Sequence, residues 1–143
     1  MPGLPDSDGD GLPDAWTWLY FGHATGLASD LSRGQDDADG DGQSNYAEYI
    51  AGTNPRDAND YFRVSIFGNS NAPVVGFSTL PTTGYGYGGL ARFYGLDQTT
   101  DLPASSWAGV PGLTNTPGLG QFVSLTNTVP EPRQFFRSRV WLA

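Results

Sequence analysis

Residues 37–48, DADGDGQSNYAE, contain four carboxylates whose spacing suits the binding of a multivalent cation. Asp37, Asp39 and Asp41 occupy alternate positions, Gly42 follows directly, and Glu48 lies six residues further on. Carboxylates this close repel one another, and neither a helix nor a strand gains stability from them. The arrangement therefore predicts a cation that is held by side-chain oxygens.

Calcium is the cation that this loop length and this set of donors fit. Hard cations take six to eight oxygen ligands, and the twelve-residue EF-hand loop supplies them from positions 1, 3, 5, 7, 9 and 12, with glycine at position 6. With position 1 at residue 37, every one of these positions is matched. The predicted ligands are the side chains of Asp37, Asp39, Asp41, Asn45 and Glu48 and the main-chain carbonyl of Gln43.

A second copy of the pattern, DSDGDGLPDAWT, occupies residues 6–17 and aligns with the first position for position. Thr17 stands at position 12 in place of a bidentate carboxylate, and Pro13 lacks the N–H that paired EF loops use for a short β-bridge. We expect two calcium sites, of which the site at 37–48 is the stronger. The predicted ligands of the first loop are Asp6, Asp8, Asp10, Asp14, Thr17 and the carbonyl of Leu12.

Two alternatives apply to these loops. Water, or a carboxylate from elsewhere such as Asp30 or Asp36, could complete the first site. Both loops could instead be solvated acidic turns, because Asp-Gly pairs are common turn formers. The repetition of the whole pattern favours the calcium interpretation.

Each loop is followed by the pattern of a short helix. Pro13 and Gly22 are placed to begin and end the first helix, and the second is predicted from Ser44 to Gly52. In the first, Trp16, Leu19 and Tyr20 are predicted to form one apolar stripe. Helices of two to three turns do not persist alone in water, so these must pack on each other or on their loops.

The chain changes character near residue 61, where β-branched and aromatic runs separated by Pro, Gly and Asn begin. The predicted strands lie in residues 61–67, 73–80, 90–100, 120–127 and 133–143. Between them, the glycine-rich segment 82–90 is predicted to be a mobile loop. The predicted fold is α+β: a small two-helix, paired EF-hand-like calcium unit at residues 1–58, followed by an antiparallel β-sandwich at residues 59–143.

Charge is concentrated in the first part of the chain. Residues 1–60 carry twelve acidic residues and two arginines, a net charge of −10, whereas residues 61–143 carry a net charge of +2. This acidity argues against a nucleic-acid partner. No apolar run is long enough to span a membrane, and the absence of cysteine excludes disulfides and thiolate metal sites.

Residues 4–57 resemble the thrombospondin type 3-like, dockerin-like calcium repeats of secreted bacterial proteins, through DSDGDGLPDAW and DADGDGQSNYAEYIAGTNP. The resemblance implies loop–helix calcium units in a protein that is extracellular or on the cell surface. An acidic residue is usual at position 12 of such repeats, and Thr17 departs from that pattern. Dockerins bind a partner protein through helix faces, so a protein partner is also implied.

The second part of the chain resembles the C-terminal β-domains that often follow such repeats in large exported bacterial proteins. The resemblance is carried by residues 99–112, TTDLPASSWAGVPG, and 133–143, RQFFRSRVWLA. Such domains act mostly in spacing, surface attachment, sorting or assembly. MPGLPDSD lacks the basic and apolar regions of a signal peptide. Because the first acidic cluster already begins at residue 6, we expect the chain to be a piece of a longer exported protein.

Enzymatic activity is not predicted. His23 is the single histidine and there is no lysine, so a histidine dyad and Schiff-base chemistry are excluded. Asp97 and Asp101 could suggest a glycosidase pair, but they lie among strand and turn residues with no third acid nearby except Glu131, and structural roles are expected for them.

Three functional hypotheses follow. The first is a non-catalytic, calcium-stabilised structural or anchoring module. The second is a carbohydrate-binding module that uses exposed aromatic residues, with Tyr85 and Tyr87 better placed than Tyr94 and Trp107. The third is a self-assembling cell-surface or filament subunit, in which an exposed strand edge pairs with another copy.

Overall fold

Both acidic loops run into short helices that begin and end at the residues expected from the sequence. Helix α1 (Asp14–Phe21) follows Pro13 and ends at Gly22, whose φ of 82° places it in the left-handed region. Helix α2 (Asn45–Ala51) is capped by Ser44, whose hydroxyl accepts the N–H of Ala47, and ends at Gly52 with the same φ. The two predicted helices are confirmed.

The two helices contact each other through aromatic side chains. Trp16 of α1 is 1% exposed and makes a T-shaped contact with the Tyr49 ring of α2, with 5.8 Å between the ring centroids. Tyr20, one turn after Trp16, packs against it at 4.8 Å. The predicted apolar stripe is wrong at Leu19, which is 52% exposed, because α1 is short and buries only the side that Trp16 and Tyr20 share.

The glycine-rich segment 82–90, which the sequence predicts to be mobile, is held against the helices. The Tyr87 ring stacks on Tyr49 at 4.9 Å, and the Tyr87 hydroxyl donates to the main-chain carbonyl of Tyr49. The Tyr49 hydroxyl in turn donates to the carbonyl of Gly86, which lies against Trp16 so closely that a Cβ would come within 2.8 Å of the Trp16 Cβ. Aromatic packing thus fixes this segment.

This computed structural model describes residues 4–102, 106–128 and 131–143, so part of the β-domain resemblance at 99–112 lies outside the described residues. The chain divides into two units. The helical unit comprises Met1–Phe62 and Thr82–Ala91, and the β unit comprises Arg63–Pro81 and Arg92–Ala143. The domains at 1–58 and 59–143 remain a prediction. Among the described residues, no helix is long and apolar enough to cross a membrane.

The β unit contains two antiparallel sheets. Its strands are β1 (Ser65–Asn69), β2 (Ala72–Ser78), β3 (Arg92–Thr99), β4 (Ala108–Gly109), β5 (Thr116–Pro117), β6 (Phe122–Thr126) and β7 (Phe135–Leu142). One sheet has the order β1-β2-β6; in the other, β3 pairs with β7 and also with the short strands β4 and β5. The sequence did not predict β4 and β5, because two residues carry no period-2 pattern.

The core of the β unit is formed by apolar side chains from both sheets. Val75 and Phe77 of β2 and Tyr94 and Leu96 of β3 are buried. The rings of Phe77 and Tyr94 stack at 5.7 Å, which joins the two sheets through one aromatic contact. Tyr94 therefore serves the core and is not available as a ligand platform.

Asp97 on β3 is a buried carboxylate that two arginines of β7 hold in place. Its Oδ2 accepts from Arg137 Nε at 3.0 Å and from Arg139 Nε at 2.9 Å, and its Oδ1 accepts from Arg139 Nη2 at 3.1 Å. Burial opposes ionisation of Asp97, but the hydrogen bonds from Arg139 and Arg137 outweigh it and hold its pKa below the ordinary value. These contacts support the predicted structural role of Asp97.

We expect Asp97→Asn to lower the free energy of unfolding of the β unit by about 1–3 kcal/mol at neutral pH, because both arginines lose a charged acceptor. The lowered pKa means that this stabilisation is present above the unfolded pKa and is lost as pH falls through the folded pKa. Urea denaturation measures the difference, with the exposed Asp101→Asn as the control. Equal stability of the two variants would contradict a structural role for Asp97.

Candidate metal centre

The aspartates of the second loop are turned toward one another by hydrogen bonds from the loop backbone. The Asp37 carboxylate accepts the N–H groups of Gly40 at 2.7 Å and of Gly42 at 2.9 Å. Gly42 has a φ of 94°, a backbone conformation that is unfavourable for residues other than glycine. One carboxylate oxygen from each of Asp37, Asp39 and Asp41 lies within 4.8 Å of the others.

Glu48 brings a fourth carboxylate to the loop from the first turn of α2. Its side chain is 0% exposed, and Oε1 accepts from the Thr53 hydroxyl at 3.3 Å. Its other oxygen, Oε2, is one of three buried carboxylate oxygens of this loop for which the described residues provide no hydrogen-bond partner; the other two are Asp39 Oδ2 and Asp41 Oδ2. Burial of unpartnered carboxylate oxygens is costly unless a cation satisfies them.

The electrostatics of the loop also indicate a cation. Burial, and then the charges of Asp39, Asp41 and Asp37, raise the pKa of Glu48 to about 8. Burial is also the main cause that raises the pKa of Asp39. Each of these effects is relieved by a positive charge among the carboxylates. The donor set, all oxygen and mostly anionic, fits a hard divalent ion such as calcium.

Asn45, the predicted ligand at position 9, has a further role. Its Nδ2 donates to the main-chain carbonyls of Leu31 at 2.7 Å and Arg33 at 2.9 Å, while its buried Oδ1 has no hydrogen-bond partner within the described ranges. The side chain of Gln43 is exposed, and a ligand role for its carbonyl stays a prediction. Asn45 thus connects α2 to the segment between the two loops.

The first loop repeats the local geometry of the second. Asp6 accepts the N–H groups of Gly9 at 2.8 Å and Gly11 at 3.0 Å, and oxygens of Asp6, Asp8 and Asp10 lie within 4.8 Å of one another. The two loops therefore have similar shapes as far as position 6.

The remaining predicted ligands of the first loop have other partners. Asp14 accepts the main-chain N–H of Ser7 at 2.7 Å and the Ser7 hydroxyl at 2.6 Å. The buried Thr17 hydroxyl donates to the carbonyl of Pro13 at 3.5 Å. Leu12 is buried, and a ligand role for its carbonyl stays a prediction.

The two carboxylates that the sequence offers as substitutes at the first site are bound elsewhere. Asp36 forms a two-point pair with Arg33, which lowers the pKa of Asp36. Asp30 accepts from His23 Nε2 at 2.7 Å, and hydrogen bonds from Ser32 and then His23 lower the pKa of Asp30. Neither completes the first loop in this structure, and His23 is held by Asp30 after the end of α1.

The comparison with known proteins concerns these two loops. Residues 6–16 and 37–58 match the family model described as bacterial TSP3 repeat. This match confirms the resemblance of the two loops to thrombospondin type 3-like repeats. TSP3 repeats are calcium-binding structural modules that occur in extracellular proteins. No curated protein and no solved structure gives a significant match to the chain.

Sequence reasoning missed two kinds of contact at the TSP3 repeats. Thr53 was not predicted to touch Glu48, because nothing in its spacing distinguishes it from an ordinary residue after a helix. The N–H groups of Gly26 and Gly34, which donate to Asp8 and Asp10, come from a segment without a recognisable motif. The glycines themselves, at positions 26 and 34, were the signal that could have indicated a close approach of the backbone.

Proposed function

We propose that the chain is a non-catalytic structural or anchoring module of an exported bacterial protein, stabilised by calcium bound in the TSP3 repeat at 37–48. The observation that supports this most directly is the set of three buried carboxylate oxygens without hydrogen-bond partners, on Asp39, Asp41 and Glu48. Extracellular calcium is abundant enough to occupy sites of modest affinity, which suits such a module.

In this proposal Asp37, Asp39, Asp41 and Glu48 hold the ion, together with the carbonyl of Gln43 and position 9. The ion supplies positive charge that offsets the repulsion among these carboxylates. Glu48 then links the loop to α2, and Tyr49, the next residue, packs on Trp16 of α1. Calcium would thereby stabilise the contact between the helices, which is the paired, EF-hand-like arrangement we propose.

For the β unit we propose a sandwich of the two antiparallel sheets, supported by the Phe77–Tyr94 stacking between them. Partners are proposed to be another protein or further copies of the chain. Trp18 and Tyr85, 62% and 70% exposed, line one hollow of about 520 Å³ together with Ala15 and Leu19, which supports a surface for protein contact.

A carbohydrate role is the alternative, and the structure offers it less support. Tyr94 is buried, Tyr87 is stacked on Tyr49, and Trp107 lies under the guanidinium of Arg137 at 4.5 Å. Of the four aromatic residues considered from the sequence, Tyr85 has an exposed ring.

We expect Glu48→Gln to weaken calcium binding by on the order of 10–100-fold, because it removes one charge and one ligand oxygen without changing the side-chain shape. The same change should stabilise the metal-free protein at neutral pH, because glutamine needs no proton uptake on folding at a site where burial and the three aspartates oppose ionisation of Glu48. Calorimetric titration with calcium and thermal unfolding in chelator measure the two effects. Glu131→Gln, an exposed glutamate of the β unit, is the matched control.

A purely structural role for Glu48 predicts a different result. In that case Glu48→Gln would destabilise the protein equally with and without calcium, and the calcium affinity would not change. That outcome would overturn the proposed site.

A further inference from the structure

The two TSP3 repeats share their inner hydrogen bonds but differ at one oxygen of the second and third aspartates. In both loops, Oδ1 of the third aspartate accepts the N–H two residues later: Asp10 from Leu12 at 2.9 Å, and Asp41 from Gln43 at 2.6 Å. In the second loop the other oxygens, Asp39 Oδ2 and Asp41 Oδ2, are buried without a partner. A cation bound in the loop would provide these oxygens with a partner.

In the first loop the equivalent oxygens are satisfied by the backbone of the segment between the loops. Asp8 Oδ2 accepts the N–H of Gly26 at 2.6 Å, and Asp10 Oδ2 accepts the N–H of Gly34 at 2.7 Å. Backbone N–H groups carry partial positive charge and can occupy a concavity that otherwise attracts a charged ligand. The desolvation penalty that indicates a cation in the second loop is therefore already removed here.

The backbone at Gly26 and Gly34 lies too close to its neighbours to leave space for a side chain. A Cβ on Gly34 would overlap the carbonyl oxygen of Asp10, and a Cβ on Gly26 would come within 2.7 Å of the Arg33 Cα and 2.8 Å of Asp10 Oδ2. The carbonyl of Gly34 also accepts the N–H of Tyr46 at 2.9 Å, at the start of α2. The segment is thus held at both loops, and only glycine allows its backbone to lie so near Asp10.

Positions 9 and 12 of the first loop also lack a carboxylate oxygen that is free to bind an ion. Both oxygens of Asp14 accept from Ser7, and Thr17 offers a neutral hydroxyl that donates to Pro13, whereas the second loop has the unpartnered Glu48 Oε2. At four ligand positions, the first loop has satisfied its oxygens within the chain or lacks the carboxylate.

We infer that the first repeat keeps its loop shape without a calcium ion of its own, because the N–H groups of Gly26 and Gly34 take the place of the ion. The chain then binds one calcium ion, in the second repeat. This inference rests on the proposed calcium function of the second repeat, and it departs from the two-site expectation of the sequence. The first repeat then supports α1 without an ion of its own, within a helical unit that calcium in the second repeat stabilises.

Calcium stoichiometry tests the inference on the full chain. Native mass spectrometry and calorimetric titration should give one ion per chain at calcium concentrations that saturate the second loop. A matched pair of variants, Asp10→Asn and Asp41→Asn, changes the same loop position in each repeat. Asp10→Asn should leave the calcium affinity within about twofold of wild type, and Asp41→Asn should weaken it by at least tenfold.

Asparagine has one acceptor oxygen, which can accept the N–H of Gly34 while the hydrogen bond from the N–H of Leu12 is lost. We expect Asp10→Asn to fold, and circular dichroism in calcium checks that it does. If Asp10→Asn is unfolded even in calcium, the stoichiometry of the wild type alone decides. Two ions per chain, or a tenfold weakening by Asp10→Asn in the folded protein, would overturn the inference while the proposed function stands. No bound calcium at all would overturn both.

Discussion

Removal of calcium should unfold the helical unit and leave the β unit largely folded. One carboxylate oxygen from each of Asp37, Asp39 and Asp41 lies within 4.8 Å of the others, and Glu48 is fully buried. Repulsion among the aspartates and the cost of burying Glu48 therefore oppose the folded state when no cation is present. Helices of eight and seven residues contribute little stability by themselves. The helical circular dichroism should therefore fall in excess chelator, while the β signal persists.

The size of this effect follows from mass action. With a dissociation constant of about 10⁻⁴–10⁻³ M, about 10 mM calcium adds roughly 1.4–2.7 kcal/mol to the free energy of unfolding. For a unit of this size, that corresponds to a rise in Tm of roughly 6–20 °C. Sodium chloride at the same ionic strength is the control for charge screening. An identical Tm in calcium and in chelator would refute the calcium-stabilised module.

Calcium affinity should increase steeply with pH up to about pH 8. The pKa of Glu48 is raised to about 8 by burial and by Asp39, Asp41 and Asp37, so in the metal-free protein this carboxyl is protonated at neutral pH. Calcium requires the carboxylate, so binding releases a proton. The apparent dissociation constant should fall about tenfold per pH unit between pH 6 and 7, and level off above the pKa.

The stability of the metal-free protein should change in the opposite direction. Because the folded pKa of Glu48 lies above its unfolded value, the folded state binds more protons between the two, and stability falls as pH rises from about 4.5 to about 8. Calorimetry in buffers of different ionisation enthalpy counts the released proton. Glu48→Gln should abolish most of the release, and a pH-independent affinity in the wild type would contradict this account.

The sequence was most informative where local chemistry decides the structure. Pro13, Gly22, Ser44 and Gly52 delimit both helices because capping and left-handed backbone conformations depend on the residue itself. The α+β class and the five longer strands followed from periodicity in the same way. The acidic clusters at Asp6–Asp10 and Asp37–Asp41 were found because a fixed loop spacing brings their carboxylates together.

The sequence was least informative where contacts join distant parts of the chain. Leu19 and Tyr20 are both compatible with an apolar stripe, and only the position of Tyr49 and its neighbours decides which is covered. Tyr87 was considered as an exposed aromatic, but it stacks on a residue 38 positions earlier. The N–H groups of Gly26 and Gly34 carry no side-chain signal, so the difference between the two repeats could not be read from loop spacing.

The return of residues 82–91 to the helical unit limits how this protein can be divided for recombinant work. A fragment that stops near residue 60 would contain both repeats but would lack the Tyr87 ring over Tyr49 and the Gly86 carbonyl that accepts from it. Such a fragment would expose Trp16 and Tyr49 to water even if its calcium loop were intact. The two repeats therefore cannot be moved as a self-contained unit, because their folded form includes residues 82–91, which lie between β2 and β3 in the sequence.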